Sequence, residues 1–285
     1  MSRRYDCSEP MERTRGVAEA ISAIRRGELV VLPTDTVYGI AADAFNPAAV
    51  ISLLDAKGRD RDMPTPVLIG SVRAAQALVE DLGTYGQDLI DEFWPGALTL
   101  VCRVNTNLTW DLGETKGTVA VRMPLHGLAL EVLKETGPLA VSSANLSGVP
   151  AARTVEEAEK MLGEAVTVYL DGGPSGEGEA SSIVDLTGPI PRLLRAGAIS
   201  EDKIRSVCGV LLSVEDDEDE DEVVADPATG EAVVADEPVE KVDLSKPESA
   251  AVNLSKAEDG AVGPDTASDD AAVLDQKAAK DQAPE

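Results

Sequence analysis

Two basic residues separated by one position, Lys57 and Arg59 in the stretch KGR, point to an anion-holding site. Lysine supplies a compact positive charge and arginine a planar fork of donors, so the pair suits the several oxygens of a polyphosphate. The same pair at a helix end could also do no more than complement the helix dipole. Which reading holds depends on the other polar groups that the fold brings beside them.

Three more polar stretches lie next to apolar runs that are typical of buried strands. Arg122 and Arg195 also interrupt apolar strands, where a buried guanidinium needs an anionic or multi-acceptor partner. Each feature alone has a structural reading as a turn, a flexible loop or a salt bridge. Together they favour one cleft that binds an anion. The stretches are PTDTVYG (residues 33–39), SSANLSG (142–148) and DGGPSGEGEASSIVDL (171–186).

The residue inventory excludes several common kinds of site. The chain has one histidine, His126, so a histidine-rich metal cluster is impossible and a Ser-His-Asp triad could be built only around that residue. The P-loop pattern and the dinucleotide glycine fingerprint are absent. Three cysteines without short spacing indicate neither a zinc site nor a disulfide framework, and they favour a reducing, cytoplasmic setting.

The elements that must position these groups follow from local patterns. Asn46 as cap and Pro47 as first helical residue predict a helix whose last turn reaches Lys57. Because helices and strands alternate early and hairpin-like strands accumulate late, the chain is predicted to have an α/β fold, an open twisted mixed sheet flanked by helices. Further helices are predicted over residues 17–26, 71–82, 128–135 and 154–162, and strands at 30–32, 65–70, 94–104, 117–124, 138–143, 166–170, 182–186 and 191–197.

Charge divides the 285 residues into unlike parts. Residues 213–285 hold 23 Asp and Glu against 5 Lys, a net charge of −18, and residues 1–212 carry −9. We therefore predict a flexible N-terminal segment over 1–15, one catalytic domain over 16–212 and a disordered acidic tail over 213–285. No signal peptide or membrane span is indicated, and the acidity argues against broad nucleic-acid binding.

Six stretches in this order resemble the YrdC-type threonylcarbamoyl-AMP synthases over about residues 21–203. The resemblance implies a YrdC-like open twisted sheet with a central basic cavity. It also implies ATP-dependent synthesis of L-threonylcarbamoyl-adenylate from L-threonine and bicarbonate with release of pyrophosphate, the first step of tRNA t6A modification. Mg²⁺ would accompany the ATP, and the product would pass to a tRNA threonylcarbamoyl-transferase complex. The stretches are PTDTVYG, KGR, FWPGALTLV, TVAVRMP, SSANLSG and SSIVDL…RLLRAGAIS.

The resemblance assigns roles to individual residues but no metal ligand. Three positions depart from the family pattern: Met63 replaces an Asn near the nucleotide, Leu68 a His near the threonine, and Ala151 a Ser. Asp35 stands where the family usually has Glu. Lys57, Arg59, Ser143 and Asn145 would be catalytic and face the nucleotide and its phosphates, Thr118 and Arg195 would touch ATP, and Thr36, Arg122 and Ser181 would hold threonine.

Two other functions remain open at this point. The same basic cavity could belong to an RNA-binding module, although the net charge of −9 on residues 1–212 counts against it. A related carbamoyl-adenylate enzyme of hydrogenase maturation is the other reading. In that enzyme the domain is fused to zinc-finger and acylphosphatase modules, and nothing in this chain resembles those modules.

Overall fold

The computed structural model describes residues 2–176 and 179–213. The chain divides into two units, Met1–Ala225 and Asp226–Glu285, and all described residues belong to the first. The predicted acidic tail lies outside the described residues, except for Ser213. None of the helices in the described ranges combines the length and the apolar character needed to cross a membrane.

The described residues form one ten-stranded sheet with seven α-helices. The strands are β1 (Arg3–Asp6), β2 (Val30–Leu32), β3 (Gly39–Asp43), β4 (Val67–Leu68), β5 (Leu98–Arg103), β6 (Thr118–Arg122), β7 (Leu139–Ser143), β8 (Val168–Asp171), β9 (Ser182–Asp185) and β10 (Arg192–Arg195). The helices are α1 (Pro10–Arg25), α2 (Pro47–Lys57), α3 (Val72–Leu78), α4 (Gly83–Phe93), α5 (Gly127–Thr136), α6 (Val155–Leu162) and α7 (Glu201–Cys208).

The sheet is mixed, in the order β1-β8-β2-β3-β7-β4-β6-β5-β9-β10. Four neighbouring pairs are parallel, such as β4 with β6, and five are antiparallel, such as β3 with β7. Val30 and Leu32 of β2 pack with α1 and α5, whereas Val31 packs with α2 and α6, so helices cover both faces. The predicted mixed sheet flanked by helices is therefore confirmed.

The first fifteen residues differ from the expected flexible segment, and that expectation is wrong. Strand β1 pairs parallel with β8 from Arg3 opposite Val168 to Asp6 opposite Asp171. Helix α1 begins at Pro10, a residue that suits the first helical turn because the turn needs no N–H from it. The sequence RRYD gave no apolar pattern, because three of its four residues are exposed at the sheet edge.

Deleting residues 2–8 is therefore expected to destabilise the protein. The deletion removes β1 and leaves the backbone groups on that side of β8 unpaired. The lost hydrogen bonds include those from Arg3 N to Thr167 O and from Cys7 N to Asp171 O. We expect a loss of about 2 kcal/mol in the free energy of unfolding, measured by urea denaturation. Arg4→Ser is the control, because it removes only exposed ion pairs with Glu156 and Glu159 and should cost less than about 1 kcal/mol. Equal stability of the deletion variant and the full chain would show that β1 contributes nothing.

The end of α2 sets the directions in which the side chains of Lys57 and Arg59 point. The Asn46 side chain accepts from the backbone N–H groups of Ala48 and Ala49, which confirms the predicted cap. Gly58 ends the helix in the left-handed conformation, with φ of 63°. Lys57 therefore belongs to the helix and Arg59 to the segment that leaves it, so the two side chains diverge.

Candidate active site

A cavity of about 230 Å³ lies among the segments that follow β2, α2 and β7 and those that carry Ser181 and Arg195. Three arginines line it, and none of its described lining residues is an aspartate or glutamate. Hydroxyl groups supply most of the other polar surface. The arginines are Arg59, Arg122 and Arg195, and the hydroxyl residues are Thr34, Thr36, Tyr38, Thr99, Ser142, Ser143 and Ser181.

The guanidinium group of Arg122, the last residue of β6, is held in one orientation by its hydrogen bonds. Its side chain is 7% exposed. Nε donates to Gly96 O at 2.9 Å, Nη1 donates to Thr36 Oγ1 at 3.0 Å, and Nη2 pairs with Asp35 Oδ1 at 2.7 Å. Burial lowers the pKa of Arg122 and Asp35 opposes that effect, but the group stays charged because an arginine pKa starts above about 12. This fixed fork leaves two N–H groups for a ligand carboxylate or phosphate.

Arg195 at the end of β10 supplies another positive charge to the cavity. Its Nε and Nη2 donate to Ser181 O at 2.9 and 2.7 Å, and the Ser181 hydroxyl shares a 2.8 Å hydrogen bond with Thr99. Burial, and then the charge of Arg122, lowers the pKa of Arg195. Because the two guanidinium groups repel each other, an anion bound beside them would relieve that repulsion.

Arg59 is the least satisfied cation of the three. Its Nη1 approaches the Ser142 hydroxyl at 3.5 Å, and its buried Nε has no hydrogen-bond partner within the described residues. A buried donor without a partner costs free energy unless a ligand or water accepts from it. The position of Arg59 in the cavity wall therefore favours an anionic ligand.

Lys57 lies behind the cavity wall, which differs from the expected phosphate contact. Its side chain is 1% exposed, and Nζ donates to Ser143 O, to Asn145 O at 2.8 Å and to Asn145 Oδ1 at 3.1 Å. The Asn145 amide donates to Leu146 O at 3.1 Å and to Val149 O. Lys57 and Asn145 thus shape the turn after β7 and are not among the residues that line the cavity.

Thr118 also lies away from the cavity lining. It begins β6, four positions before Arg122, and its hydroxyl donates to Thr115 O at 2.8 Å. The structure therefore brings six of the predicted site residues together and leaves Lys57, Asn145 and Thr118 outside the wall. The six are Thr36, Arg59, Arg122, Ser143, Ser181 and Arg195.

Comparisons with known proteins identify the family of this chain. Residues 22–197 match the Sua5/YciO/YrdC family, described as "Telomere recombination". A Mycobacterium leprae protein assigned provisionally as a threonylcarbamoyl-AMP synthase is 55% identical over 211 residues, which cover 74% of this chain and 96% of that protein. The chain belongs to the Sua5/YciO/YrdC family.

Two more distant members extend the comparison. The threonylcarbamoyl-AMP synthase of Bacillus subtilis is 38% identical over 198 residues, covering 68% of this chain but 57% of that longer protein. The crystal structure of Pyrococcus abyssi Sua5 complexed with L-threonine has a TM-score of 0.71 and 32% identity, covering 81% of this chain and 67% of that one. The family fold expected from the resemblance is confirmed.

The three departures from the usual Sua5/YciO/YrdC pattern have different places in the structure. Leu68 and Ala151 line the cavity, so both positions add apolar surface to its wall. Met63 is 43% exposed and does not line the cavity. Its replacement of an Asn therefore changes the outer surface of this chain rather than the described cavity wall.

Tyr38 ties the segment 171–176 to the start of β3, a role that sequence reasoning missed. The buried hydroxyl donates to Gly173 O at 2.6 Å and accepts from Gly172 N at 3.1 Å. Burial raises the pKa of Tyr38 to about 12, so the phenol keeps its proton at neutral pH. The only sequence signal was the position of Tyr38 inside the stretch PTDTVYG.

Tyr38→Phe is expected to weaken substrate binding as well as stability. It removes the donor to Gly173 O beside the cavity, with a loss of about 1–2 kcal/mol in unfolding free energy and a rise of a few-fold in KM. Tyr169→Phe is the matched control, because that equally buried hydroxyl donates to Gly163 O and does not line the cavity. We expect the same stability loss without the KM change. A KM effect of equal size in both variants would contradict a local role for Tyr38.

Proposed function

We propose that this chain is a threonylcarbamoyl-AMP synthase, which makes L-threonylcarbamoyl-adenylate from L-threonine, bicarbonate and ATP and releases pyrophosphate. The observation that carries the proposal is a cavity with three arginines and no carboxylate among its described lining residues. Such a cavity suits substrates that are all anionic or carry an anionic group. The curated relatives bear the name of this activity.

The proposed chemistry is nucleotidyl transfer. The amino group of threonine and bicarbonate give a carbamate with loss of water, a carbamate oxygen attacks the α-phosphorus of ATP, and the bond to the β-phosphate oxygen breaks so that pyrophosphate leaves. Positioning and neutralisation of charge supply most of the rate in such reactions. Arg59 and Arg195 neutralise the phosphates in this proposal, and the hydroxyl groups of Ser142 and Ser143 donate to them without adding charge.

The threonine end of the cavity is assigned to Arg122, Thr36 and Ser181. Two N–H groups of the Arg122 guanidinium remain for the substrate carboxylate after its bonds to Gly96, Thr36 and Asp35. The hydroxyl groups of Thr36 and Ser181 supply neutral contacts on the same wall. The apolar side chain of Leu68 faces the methyl group of threonine in this arrangement.

Mg²⁺ enters the proposal as part of the ATP substrate. Among the described residues no group of three or more His, Cys, Asp and Glu side chains could hold a metal ion. The cavity wall also offers no carboxylate from its described residues. The phosphate oxygens of ATP are therefore the ligands that bring the ion, as is usual for Mg²⁺ at nucleotide sites.

The product is proposed to leave for a tRNA threonylcarbamoyl-transferase complex in the cytoplasm. A mixed carboxylic-phosphoric anhydride is prone to hydrolysis, so a transferase must consume it soon after release. The cytoplasmic setting is consistent with Cys7, Cys102 and Cys208, which are all buried and unpaired.

The proposal is tested by pyrophosphate release from ATP with each co-substrate omitted in turn. Release is expected to require both L-threonine and bicarbonate, because the attacking carbamate contains both. Release that is indifferent to both would contradict the proposed reaction. An RNA-binding module would release no pyrophosphate and would show RNA affinity that falls steeply with salt.

Removal of residues 214–285 is expected to leave this reaction intact. All six predicted residues that line the cavity precede Ser213, and the composition of residues 214–285 predicts a tail that adds no packed core. We expect a rate of pyrophosphate release within about twofold of the full chain. A loss of activity in the truncated chain would show that the acidic segment takes part in the reaction.

A further inference from the structure

We propose that Lys57 is a positioning residue, whose ammonium group holds the turn after β7 in the shape that presents Ser143 to the nucleotide without touching the substrate itself. The inference rests on the function proposed above, since it takes the nucleotide to bind beside this turn. It separates the roles of the two basic residues in KGR: Arg59 binds the anion, and Lys57 shapes the wall.

The donor count of Lys57 supports this role. An ammonium group has three N–H bonds, and three oxygens accept them: Ser143 O, Asn145 O at 2.8 Å and Asn145 Oδ1 at 3.1 Å. A buried charge is tolerated only when it is fully hydrogen-bonded. To reach a phosphate, Lys57 would have to leave buried oxygens of the turn without a donor.

The turn has its own bonds that depend on this anchor. The Asn145 side chain accepts from Lys57 and donates to Leu146 O and Val149 O, so its amide is fixed at both ends. The backbone adds a bond from Ser147 N to Lys57 O at 3.0 Å. Lys57 therefore connects the last residue of α2 to both sides of the turn.

The shape of the turn matters because two cavity hydroxyls lie on it or next to it. Ser143 lines the cavity, and the neighbouring Ser142 hydroxyl is the hydrogen-bond partner of Arg59. Displacement of a positioning group by about 1 Å can lower a rate by about a hundredfold. Loss of the Lys57 anchor is thus expected to act on the nucleotide through Ser143 and Arg59.

The charge state of Lys57 gives the turn a pH dependence. Burial and the neighbouring Arg59 lower the pKa of Lys57 to about 8. The turn presents carbonyl and amide oxygens to the ammonium group of Lys57 and no titratable side chain. The charged group that acts on Lys57 is Arg59, which follows the end of α2. Because the pKa is lowered, protonation favours open states in which the ammonium group reaches water, so openings of the turn become rarer as pH rises through about 8.

The first test compares Lys57→Met with Lys134→Met, an exposed lysine in the last turn of α5. Amide hydrogen exchange is measured in the ligand-free full chain, and binding of Mg·ATP and of L-threonine is measured separately. We expect the amides of Ala144 and Ser147 to exchange about tenfold faster in Lys57→Met and ATP to bind about tenfold more weakly, with threonine affinity and the control unchanged. Unchanged exchange together with lost ATP affinity would overturn the proposal in favour of direct phosphate contact. Unchanged ATP affinity would also overturn it.

The wild-type chain gives a second test that does not depend on the folding of a variant. Protection of the Ala144 and Ser147 amides, corrected for the intrinsic pH dependence of exchange, is expected to rise between pH 7 and 9 in the wild type and not in Lys57→Met, while protection of amides within α5 stays unchanged. Protection that is independent of pH in the wild type would contradict the proposed anchor. Neither test measures catalysis, so a chain that passes both but releases no pyrophosphate would refute the proposed function and leave this inference standing.

Discussion

Arg59→Ala is expected to lower the rate of pyrophosphate release by about a hundredfold to a thousandfold, as loss of one charge-stabilising donor does in other transfer reactions. The guanidinium lies in the cavity wall with a buried Nε that has no partner among the described residues. Its charge is therefore free to act on the phosphates of ATP. The measurement is steady-state pyrophosphate release with saturating threonine and bicarbonate.

The same substitution should leave the free energy of unfolding unchanged or slightly higher. Arg59 makes one weak contact at 3.5 Å, and its charge lowers the pKa of Lys57 nearby, so its removal relieves repulsion. Arg61→Ala is the matched control two positions away, because Arg61 forms an exposed ion pair with Asp111 and does not line the cavity. A fully active Arg59→Ala, or an equal loss of activity in Arg61→Ala, would show that the phosphate assignment is wrong.

Arg122→Met is expected to abolish use of threonine and to destabilise the fold as well. The variant leaves Asp35 nearly buried without its partner, which costs about 3–5 kcal/mol in unfolding free energy. It also removes the proposed carboxylate ligand, with a fall of more than about a hundredfold in kcat/KM for threonine. Urea denaturation and steady-state kinetics measure the two effects.

A double variant separates stability from function. Asp35→Asn added to Arg122→Met removes the unpaired carboxylate but keeps an oxygen that accepts from Leu125 N. We expect much of the stability to return while kcat/KM for threonine stays low. Recovery of threonine turnover in the double variant would mean that Arg122 serves only to neutralise Asp35.

Local signals predicted elements well where a cap or an apolar run was strong. Asn46 and Pro47 predicted the start of α2, and Thr154 with Glu157 forms a capping box at the start of the helix predicted over 154–162. The helix predicted from Ser71 to Leu82 ends at Leu78, because Val79 is extended and bridges Val104. That bridge depends on a distant segment and leaves no local trace in the sequence.

Helix α4 was missed because its sequence opposes the helix locally. GTYGQDLIDEF contains Gly83 and Gly86, which lower helix propensity. Gly86 is needed for packing, since a Cβ there would lie 3.2 Å from Leu82 and from Leu186. Tertiary contact thus outweighs intrinsic propensity at this position.

In the candidate site, the sequence predicted which types of residue meet but not the directions in which their side chains point. The order of polar stretches predicted which residues share a cavity, and Arg59, Arg122 and Arg195 do meet there. The spacing of KGR could not tell that Lys57 points away from Arg59, because the left-handed conformation of Gly58 decides it. The pair between Arg122 and Asp35 joins residues 87 positions apart, so no local pattern shows it.

The most direct test of the central claim is detection of the product itself. The full chain is incubated with Mg·ATP, L-threonine and ¹³C-labelled bicarbonate, and the mixture is analysed at once by mass spectrometry. We predict a threonylcarbamoyl-adenylate that carries the label in its carbamate carbon, formed by the wild type and by Arg61→Ala but not by Arg59→Ala. Conversion of ATP without a labelled adenylate, or a labelled adenylate formed equally by Arg59→Ala, would contradict the assignment of this reaction to the arginine-lined cavity.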